Sequence, residues 1–390
     1  MFGMRNGERD TAYSSDPVRA VVTGGSLGGL ASAIALREAG CEVEVFERSQ
    51  GELLGRGAGI VAQPELLRFL EEHGISTRDE ISVPSNMRQY LAPDGGVARA
   101  EDSHQYMTSW GAVYQKLRAA FPEERYHQGS NLVGLKQDES GVIACFKDGR
   151  EEECDLLVGA DGTHSTCRRL LLPEVTPEYA GYVAWRGLVK ESDLEPALAR
   201  VFAEKFTFFL ERNTQILCYL IPGPSGELGK GERWLNWVWY WNVPEGDELR
   251  EVLTDTEGAT HDDSVPQGRV REPLIQRQEI IAGEVLPDVF RCLFAQTAEP
   301  FIQVIQDLSV QRMAFVQVCL AGDAAFVPRP HTAASTSKAT TNAAALAESL
   351  RRHGNDVAAA LKFWEPAQLR LGRQLEEYGK SLGDSSQFGP

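Results

Sequence analysis

Gly24-Gly-Ser-Leu-Gly28-Gly29 stands between a short apolar run, Arg19–Thr23, and a stretch in which Leu30, Ala33, Ile34 and Leu36 recur with helical spacing up to Gly40. A glycine-rich turn of this kind lets backbone N–H groups approach a pyrophosphate. The helix behind it adds the partial positive charge of its N-terminus. A second alternating run, Glu42–Phe46, ends on Glu47-Arg48, roughly 20 residues further on, where a carboxylate can accept hydrogen bonds from a ribose. Gly24, Ser26, Leu27, Gly28, Gly29, Glu47 and Arg48 therefore read as a dinucleotide site. Ser26 occupies the second glycine position of the fingerprint; it is small enough to admit a phosphate and carries a hydroxyl that can donate to it. The alternative for such a turn is a tight connection with no ligand. The strand, helix, second strand and terminal acid around it favour the ligand.

Two further acids sit where strands run out. Cys154-Asp-Leu-Leu-Val-Gly-Ala is followed by Asp161-Gly162, and Arg168 comes shortly after. Leu320-Ala is followed by Gly322-Asp323 and then by Pro328, Pro330 and a helical composition. Either acid can be a turn former or a helix cap instead of a ligand.

In this order and spacing, the three segments resemble the group A FAD-dependent aromatic hydroxylases, single-component flavoprotein monooxygenases, over roughly residues 18–375. Tyr179-Ala-Gly-Tyr-Val-Ala-Trp-Arg-Gly187 and Gly322-Asp-Ala-Ala-Phe-Val-Pro-Arg-Pro-His331 are similar to the branch that acts on hydroxypyridines. The resemblance implies an α/β plus β fold, with a Rossmann-like FAD-binding domain and an interleaved antiparallel-sheet substrate domain, as in p-hydroxybenzoate hydroxylase. It implies that Asp161 and Gly162 serve FAD and in part the nicotinamide cofactor, and that Gly322 and Asp323 hold the ribityl chain. Pro330, Ala333, Ala334 and Ser335 would open a helix beside the flavin. The family has glycines where Ala333 and Ser335 stand, an acid near Asn342 and an arginine near Trp110. The implied cycle consumes NADH or NADPH and O2, passes through a flavin hydroperoxide and hydroxylates an electron-rich ring, expected here to be a hydroxypyridine. One nucleotide fingerprint suffices, because the reductant visits only briefly. A different phenol or bicyclic aromatic is the nearest alternative. A flavin halogenase, echoed in Trp239-Tyr-Trp-Asn-Val-Pro244, and a degenerate flavoprotein are more distant ones.

These residues must be positioned by two kinds of element. Phe206–Leu210, Ile216–Ile221 and Trp234–Val243 are aromatic and β-branched and predict strands of a separate antiparallel sheet. Alternation places Gln215, Leu217 and Tyr219 on one face of their strand. It separates Asn236, Val238 and Tyr240 from Trp237, Trp239 and Trp241 on the next. Gln215, Tyr219 and Tyr240 are the substrate candidates, and Tyr219, Tyr240 and His331 the catalytic ones: phenols to orient or ionise a ring hydroxyl, and a histidine to carry a proton near neutral pH. Ordinary sheet packing and an idle loop histidine are the competing readings. Arg186 is either ion-paired or a cleft residue. Val316–Ala321 predicts a further buried strand, and helices fill the chain from about Ser337, interrupted at Gly354 and Asn355. The expected division is a tail over 1–17, an FAD domain over 18–80, 103–178 and 268–375, a substrate sheet over 81–102 and 179–267, and a tail over 376–390.

Composition narrows the field. A chain of 390 residues with 42 % apolar and 24 % charged residues is ordinary globular material, neither disordered nor fibrous. A net charge of −17 argues against a nucleic-acid partner. No apolar run spans a bilayer, and residues 1–16 lack a signal-peptide core, so a cytoplasmic enzyme is expected, with a homodimer left open. The seven cysteines form no CxxC, and His73, His104, His127 and His164 have no ligating spacing, so no metal is expected.

Overall fold

The computed structural model describes residues 16–51, 53, 58–138, 141–354 and 356–389. The expected N-terminal tail therefore lies, except for its last two residues, outside the described part, as does Asn355. No described helix is long and apolar enough to cross a membrane, and no group of three metal-ligating side chains occurs among the described residues.

Two large sheets organise the chain, and a third, small one is made of Leu132–Gln137, Val142–Phe146 and Glu151–Cys154. The first has six strands, with Arg19–Thr23 near its middle, paired in parallel with Leu156–Gly159 on one side and Glu42–Phe46 on the other. Ala20 to Thr23 are all buried. A parallel strand covered on both faces has no solvent side, and this explains the unbroken apolar run. Helix Leu27–Glu38 follows the glycine turn and packs against helix Ser335–Arg352 from the far end of the chain.

The second sheet has ten strands and is mostly antiparallel. Its centre is Trp234–Asn242, flanked by Glu178–Lys190 and Thr214–Ile221. The two faces separate as the alternation predicts. Trp185, Trp237 and Trp239 are fully buried against Phe290, Leu293 and Phe294 of helix Asp288–Ala295. The buried indoles are satisfied: Trp237 donates to Thr297 Oγ1 at 2.9 Å and Trp239 to Thr214 Oγ1 at 2.7 Å. The opposite face carries Tyr182, Ala184, Leu217, Tyr219, Val238 and Tyr240 and turns toward the first sheet.

Three expectations change. Val316–Ala321 is not one strand. Ala314–Phe315 and Val318–Leu320 form a hairpin, and Val316 sits at its tip with φ 59°, exposed to solvent. Segment 268–309 belongs with the second sheet, not with the nucleotide domain. Helices Glu272–Val285 and Asp288–Ala295 bury their apolar faces on the tryptophan side, and strand Phe301–Ser309 pairs with Glu178–Lys190. The reading of 376–390 as a tail also fails. Helix Val357–Ser385 runs through most of it, with Gly379 and Gly383 close against Arg329. Beyond the helix, Phe388 is buried, stacked on Tyr182 at 4.9 Å and parallel to His331 within 8°. The Asn242 side chain clasps both neighbours, donating to Gln387 O at 3.1 Å and accepting from Gly389 N at 3.1 Å.

Phe388→Ala should therefore cost about 3 kcal/mol, the usual loss for emptying a buried phenyl site. Denaturant unfolding followed by tryptophan emission checks this. Parental stability would mean that the chain end contributes no packing.

Candidate active site

The strand ends of the first sheet face the tyrosine side of the second across a cleft of about 530 Å³. That is the volume range of ordinary ligand sites. Its floor is the glycine turn. Gly24 has φ +98°, a left-handed conformation that glycine adopts freely, and a Cβ there would overlap the Ala160 carbonyl. Gly29 packs so closely on Gly24 that any side chain would collide with the Gly24 oxygen. Ser26 is the N-cap of helix Leu27–Glu38, yet its hydroxyl makes no capping bond and lies at the cleft. Glu47 is buried beside it. One carboxylate oxygen accepts from Gly25 N at 2.7 Å and the other from Ser49 N at 2.8 Å. The acid at the strand end thus shapes the turn as well as lining the cleft. Leu27, Gly28 and Arg48 also line the cleft.

Asp161 and Gly162 line the same space. Asp161 accepts from Thr166 N at 2.7 Å, from Cys167 N at 3.1 Å and from the Ser165 hydroxyl. It is a cap for helix Thr166–Leu171 as well as a cleft residue, so both readings of this acid describe one side chain. Arg168, almost fully buried, donates to the carbonyls of Thr163, Val175 and Ala324, and so ties this turn to the Gly322-Asp323 turn.

Asp323 accepts from Ser335 Oγ at 2.6 Å and Lys338 Nζ at 2.8 Å, both on one carboxylate oxygen, and the other has no partner among the described residues. Lys338 also donates to the Phe326 carbonyl. Burial lowers its pKa, and Asp323 opposes that. Sequence reasoning missed Lys338; the signal was a single lysine inside Ser335-Thr-Ser-Lys-Ala-Thr-Thr, a run otherwise free of charge. The departures from the family pattern have local explanations. Asn342 accepts from Gly322 N at 3.0 Å and donates to Gln368 Oε1 at 2.9 Å, two roles that a carboxylate cannot combine. Ala333 holds a left-handed φ of 51° where the family has glycine, at a cost on the order of 1 kcal/mol. Trp110 stacks on Tyr114 at 5.0 Å and gives the cleft an aromatic wall. Pro330, Ser335, Gly322 and Asp323 line the cleft; Gly29, Ala333 and Ala334 are not among its lining residues.

Tyr219 and Tyr240 do not line the cleft itself. They lie one layer behind, in a cluster with Tyr182, His331 and Phe388. Gly59 is the partition: it lines the cleft, and its Cα packs on Asn236 and Tyr219. Burial pushes the phenols of both tyrosines up, Tyr240 to about 12, while Arg186 pulls in the other direction. His331 is not the expected proton carrier. Burial, reinforced by the Arg329 charge, lowers it to about 3, and its Nε2 is engaged with Tyr182 Oη at 2.9 Å. It is a neutral imidazole at physiological pH. Gln215 turns to the chain end, accepting from Ser386 Oγ at 3.4 Å. Arg186 reaches the cleft and, among the described residues, has no ion-pair partner.

The glycine cradle, the buried Glu47 and the half-free Asp323 fit an adenine dinucleotide of the flavin kind. Glu47→Ala and Asp323→Ala should each weaken FAD binding roughly tenfold or more, since a hydrogen bond to a charged group is worth about 1.5–3 kcal/mol. Flavin fluorescence titration reads this; unchanged affinity in both would remove these acids from the site. His331 generates a pH prediction. Its folded pKa lies below the unfolded value, so the unfolded chain binds the extra proton, and stability is lost as pH falls from about 6.5 toward 3. His331→Gln should flatten that slope in acid unfolding curves, and an unaltered slope would contradict the assignment.

Comparison with known proteins agrees with this geometry. The FAD binding domain family matches residues 17–239, and a second profile, FAD binding domain-like, matches 179–307. The chain is 40 % identical to 2,6-dihydroxypyridine 3-monooxygenase of Paenarthrobacter nicotinovorans, over 95 % of this chain and 92 % of that one. It superposes on the structure of 2,6-dihydroxypyridine-3-hydroxylase from Arthrobacter nicotinovorans with a TM-score of 0.90, covering 96 % and 93 % of the two chains at 37 % identity. An FAD-dependent urate hydroxylase of Klebsiella pneumoniae is 27 % identical over 92 % of this chain and 88 % of its own. Strand order, the pinned glycine turn and full-length similarity thus agree: the chain belongs to the FAD binding domain family, as an FAD-dependent aromatic monooxygenase that uses NAD(P)H.

Proposed function

We propose that the substrate is a hydroxypyridine and that it binds in the cleft, on the side where the packed aromatic cluster of Tyr182, Tyr219, Tyr240, His331 and Phe388 backs it. The observation that carries this is similarity along nearly the whole chain, substrate sheet included, to an enzyme named for 2,6-dihydroxypyridine. The packed cluster behind the cleft supports it: Tyr182, Tyr219, Tyr240, His331 and Phe388 are almost all ring, with polar atoms confined to hydroxyls and one imidazole. A flat ring bearing oxygens suits such a lining.

Bound FAD, reduced by NAD(P)H, supplies the activation of O2. Glu47 and the glycine turn would hold its nucleotide end, and the second carboxylate oxygen of Asp323 would accept from a hydroxyl of the chain that links nucleotide to ring. The helix opening at Ser335 has no side-chain cap, so its first N–H groups would be available to the flavin. Neutral Tyr219 and Tyr240 donate or accept one hydrogen bond at a ring hydroxyl and fix which carbon faces the cleft. The apolar shell around them keeps water from the reacting atoms. In sum, a ring C–H becomes C–OH, the second oxygen leaves as water, and NAD(P)H supplies two electrons.

Tyr219→Phe and Tyr240→Phe test the cluster. Each keeps its ring and loses one hydroxyl. With a panel of hydroxypyridines, at least one variant should go on oxidising NAD(P)H while product falls by roughly 10²-fold and hydrogen peroxide rises. Parental product yield without excess peroxide in both would mean that the tyrosines only pack the sheet. A parent protein that hydroxylates phenols but no hydroxypyridine would overturn the substrate class.

A further inference from the structure

We propose that Tyr126 is a positioning residue for the phosphates of the dinucleotide: its hydroxyl holds the Gly25–Ser26 peptide so that an N–H, and not a carbonyl oxygen, is presented to the anion. The role is independent of which ring is hydroxylated.

Gly25 is the glycine of the turn that backbone geometry does not explain. Gly24 has a left-handed φ and Gly29 packs on the Gly24 oxygen, but Gly25 has no positive φ. What a Cβ on Gly25 would meet is the Tyr126 hydroxyl and ring. Tyr126 arrives on the short strand Tyr126–His127, which pairs in parallel with Val45 and Phe46. Its Oη donates to the Gly25 carbonyl at 3.0 Å in a buried contact. On the other side of the same residue, Gly25 N donates to Glu47 at 2.7 Å. Side chains thus hold the peptides on both sides of Gly25.

The consequence falls on Ser26. A trans peptide carries its C=O and N–H on opposite sides, so a Gly25 oxygen turned toward Tyr126 turns the Ser26 N–H the other way. Gly24 and Ser26 line the cleft, and Tyr126 does not. The Ser26 N–H has no hydrogen-bond partner among the described residues, and Ser26 is the N-cap of helix Leu27–Glu38. Rotating this peptide by half a turn would exchange the donor for an oxygen and set a partial negative charge against the phosphate. Gly25 itself resists such a rotation weakly, because it has no Cβ. The Tyr126 hydroxyl supplies the resistance that the glycine lacks. The tyrosine is in turn fixed as a donor. The Arg118 guanidinium lies over its ring, 4.1 Å from the ring centre. Arg118 also donates to the Phe121 carbonyl at 3.2 Å and pairs with Glu123. Burial, with the Tyr114 hydroxyl and the Glu47 charge beside it, raises the phenol pKa against the opposing Arg118 charge, so the proton stays in place. The same short strand reaches Glu47 directly, where His127 O accepts from Glu47 N at 2.9 Å. One strand thus seats both side chains that hold Gly25.

The test titrates the full-length apoprotein with FAD, read by flavin fluorescence, and follows its denaturant unfolding in parallel. A dissociation constant reports the difference between bound and free states, so a hydroxyl that only stabilised the fold would leave it unchanged. Tyr126→Phe keeps the ring under Arg118 and should bind FAD roughly fivefold more weakly. p-Aminophenylalanine at position 126 keeps a donor on the same ring and should restore most of that affinity. Gly25→Ala should weaken FAD binding more than Tyr126→Phe does, because its Cβ displaces the phenol. Tyr126→Val vacates that space, so the double variant should bind FAD at least as well as Gly25→Ala alone, a non-additive result. Parental FAD affinity in Tyr126→Phe, with or without a loss of apoprotein stability, would overturn the proposal. So would a loss that the aminophenylalanine does not restore, or additive losses in the Gly25→Ala and Tyr126→Val pair.

Discussion

A fully buried ammonium group, Lys338, holds the two halves of the site in register. It enters from helix Ser335–Arg352, the helix that packs on the one behind the glycine turn, and it grips Asp323 and the Phe326 carbonyl. A charge in that position must be paired, or it loses its proton. Pairing obliges the chain between 323 and 338 to double back. That return carries Pro330 to the cleft and His331 to the aromatic cluster. Arg168 secures the same turn from the other side through Ala324. The nucleotide turn, the loop beside the flavin and the aromatic cluster are therefore consequences of one packed unit rather than three independent sites.

The chain has to serve two solvents at once. The nucleotide end of the ligand is polar and wants backbone N–H groups and carboxylates; the reacting ring needs exclusion of water. The fold assigns these to different sheets and lets them meet at Gly59, whose bare Cα packs directly on Asn236 and Tyr219 while lining the cleft. The last residues of the chain cover the back of the aromatic cluster. The close approach of Gly379 and Gly383 to Arg329 lets helix Val357–Ser385 lie over the loop that carries His331 and deliver Phe388 to it. His331 accordingly acts as a neutral wall and hydrogen-bond partner of Tyr182, and the cluster keeps its low dielectric.

Much of this was legible in the amino-acid order, and the reasons differ by residue. The strand–turn–helix–strand around Gly24 is local, so spacing alone marks Arg19–Thr23 and Glu42–Phe46 as strands. The tryptophan and tyrosine faces of Trp234–Asn242 follow from a period of two. What could not be read was non-local. Lys338 looks like any helix lysine until Asp323 arrives from another element. The Val316 hairpin is indistinguishable from a continuous strand in an apolar run. Phe388 lies in a polar stretch that reads as a tail; the clasp by Asn242, its stacking on Tyr182 and His331 and its N–H bond to the Gly383 carbonyl, all non-local or dependent on the helix end, seat it. Whether Arg186 meets a carboxylate is not local information; it is a property of the assembled sheet. Ser26, Ala333 and Ser335 stand where the family has glycine. In the fold each has a use or a tolerated cost: a free hydroxyl at the cleft, a left-handed alanine and a donor to Asp323.

On this reading the cleft, backed by the aromatic cluster, places one atom of O2 on the ring of a hydroxypyridine. Turnover under ¹⁸O₂ in ordinary water, with product mass and NAD(P)H consumption measured together, tests it most directly. The account predicts one heavy oxygen per product molecule and one NAD(P)H consumed for each. Product oxygen taken from water, or NAD(P)H oxidation that yields only peroxide with every hydroxypyridine offered, would contradict it.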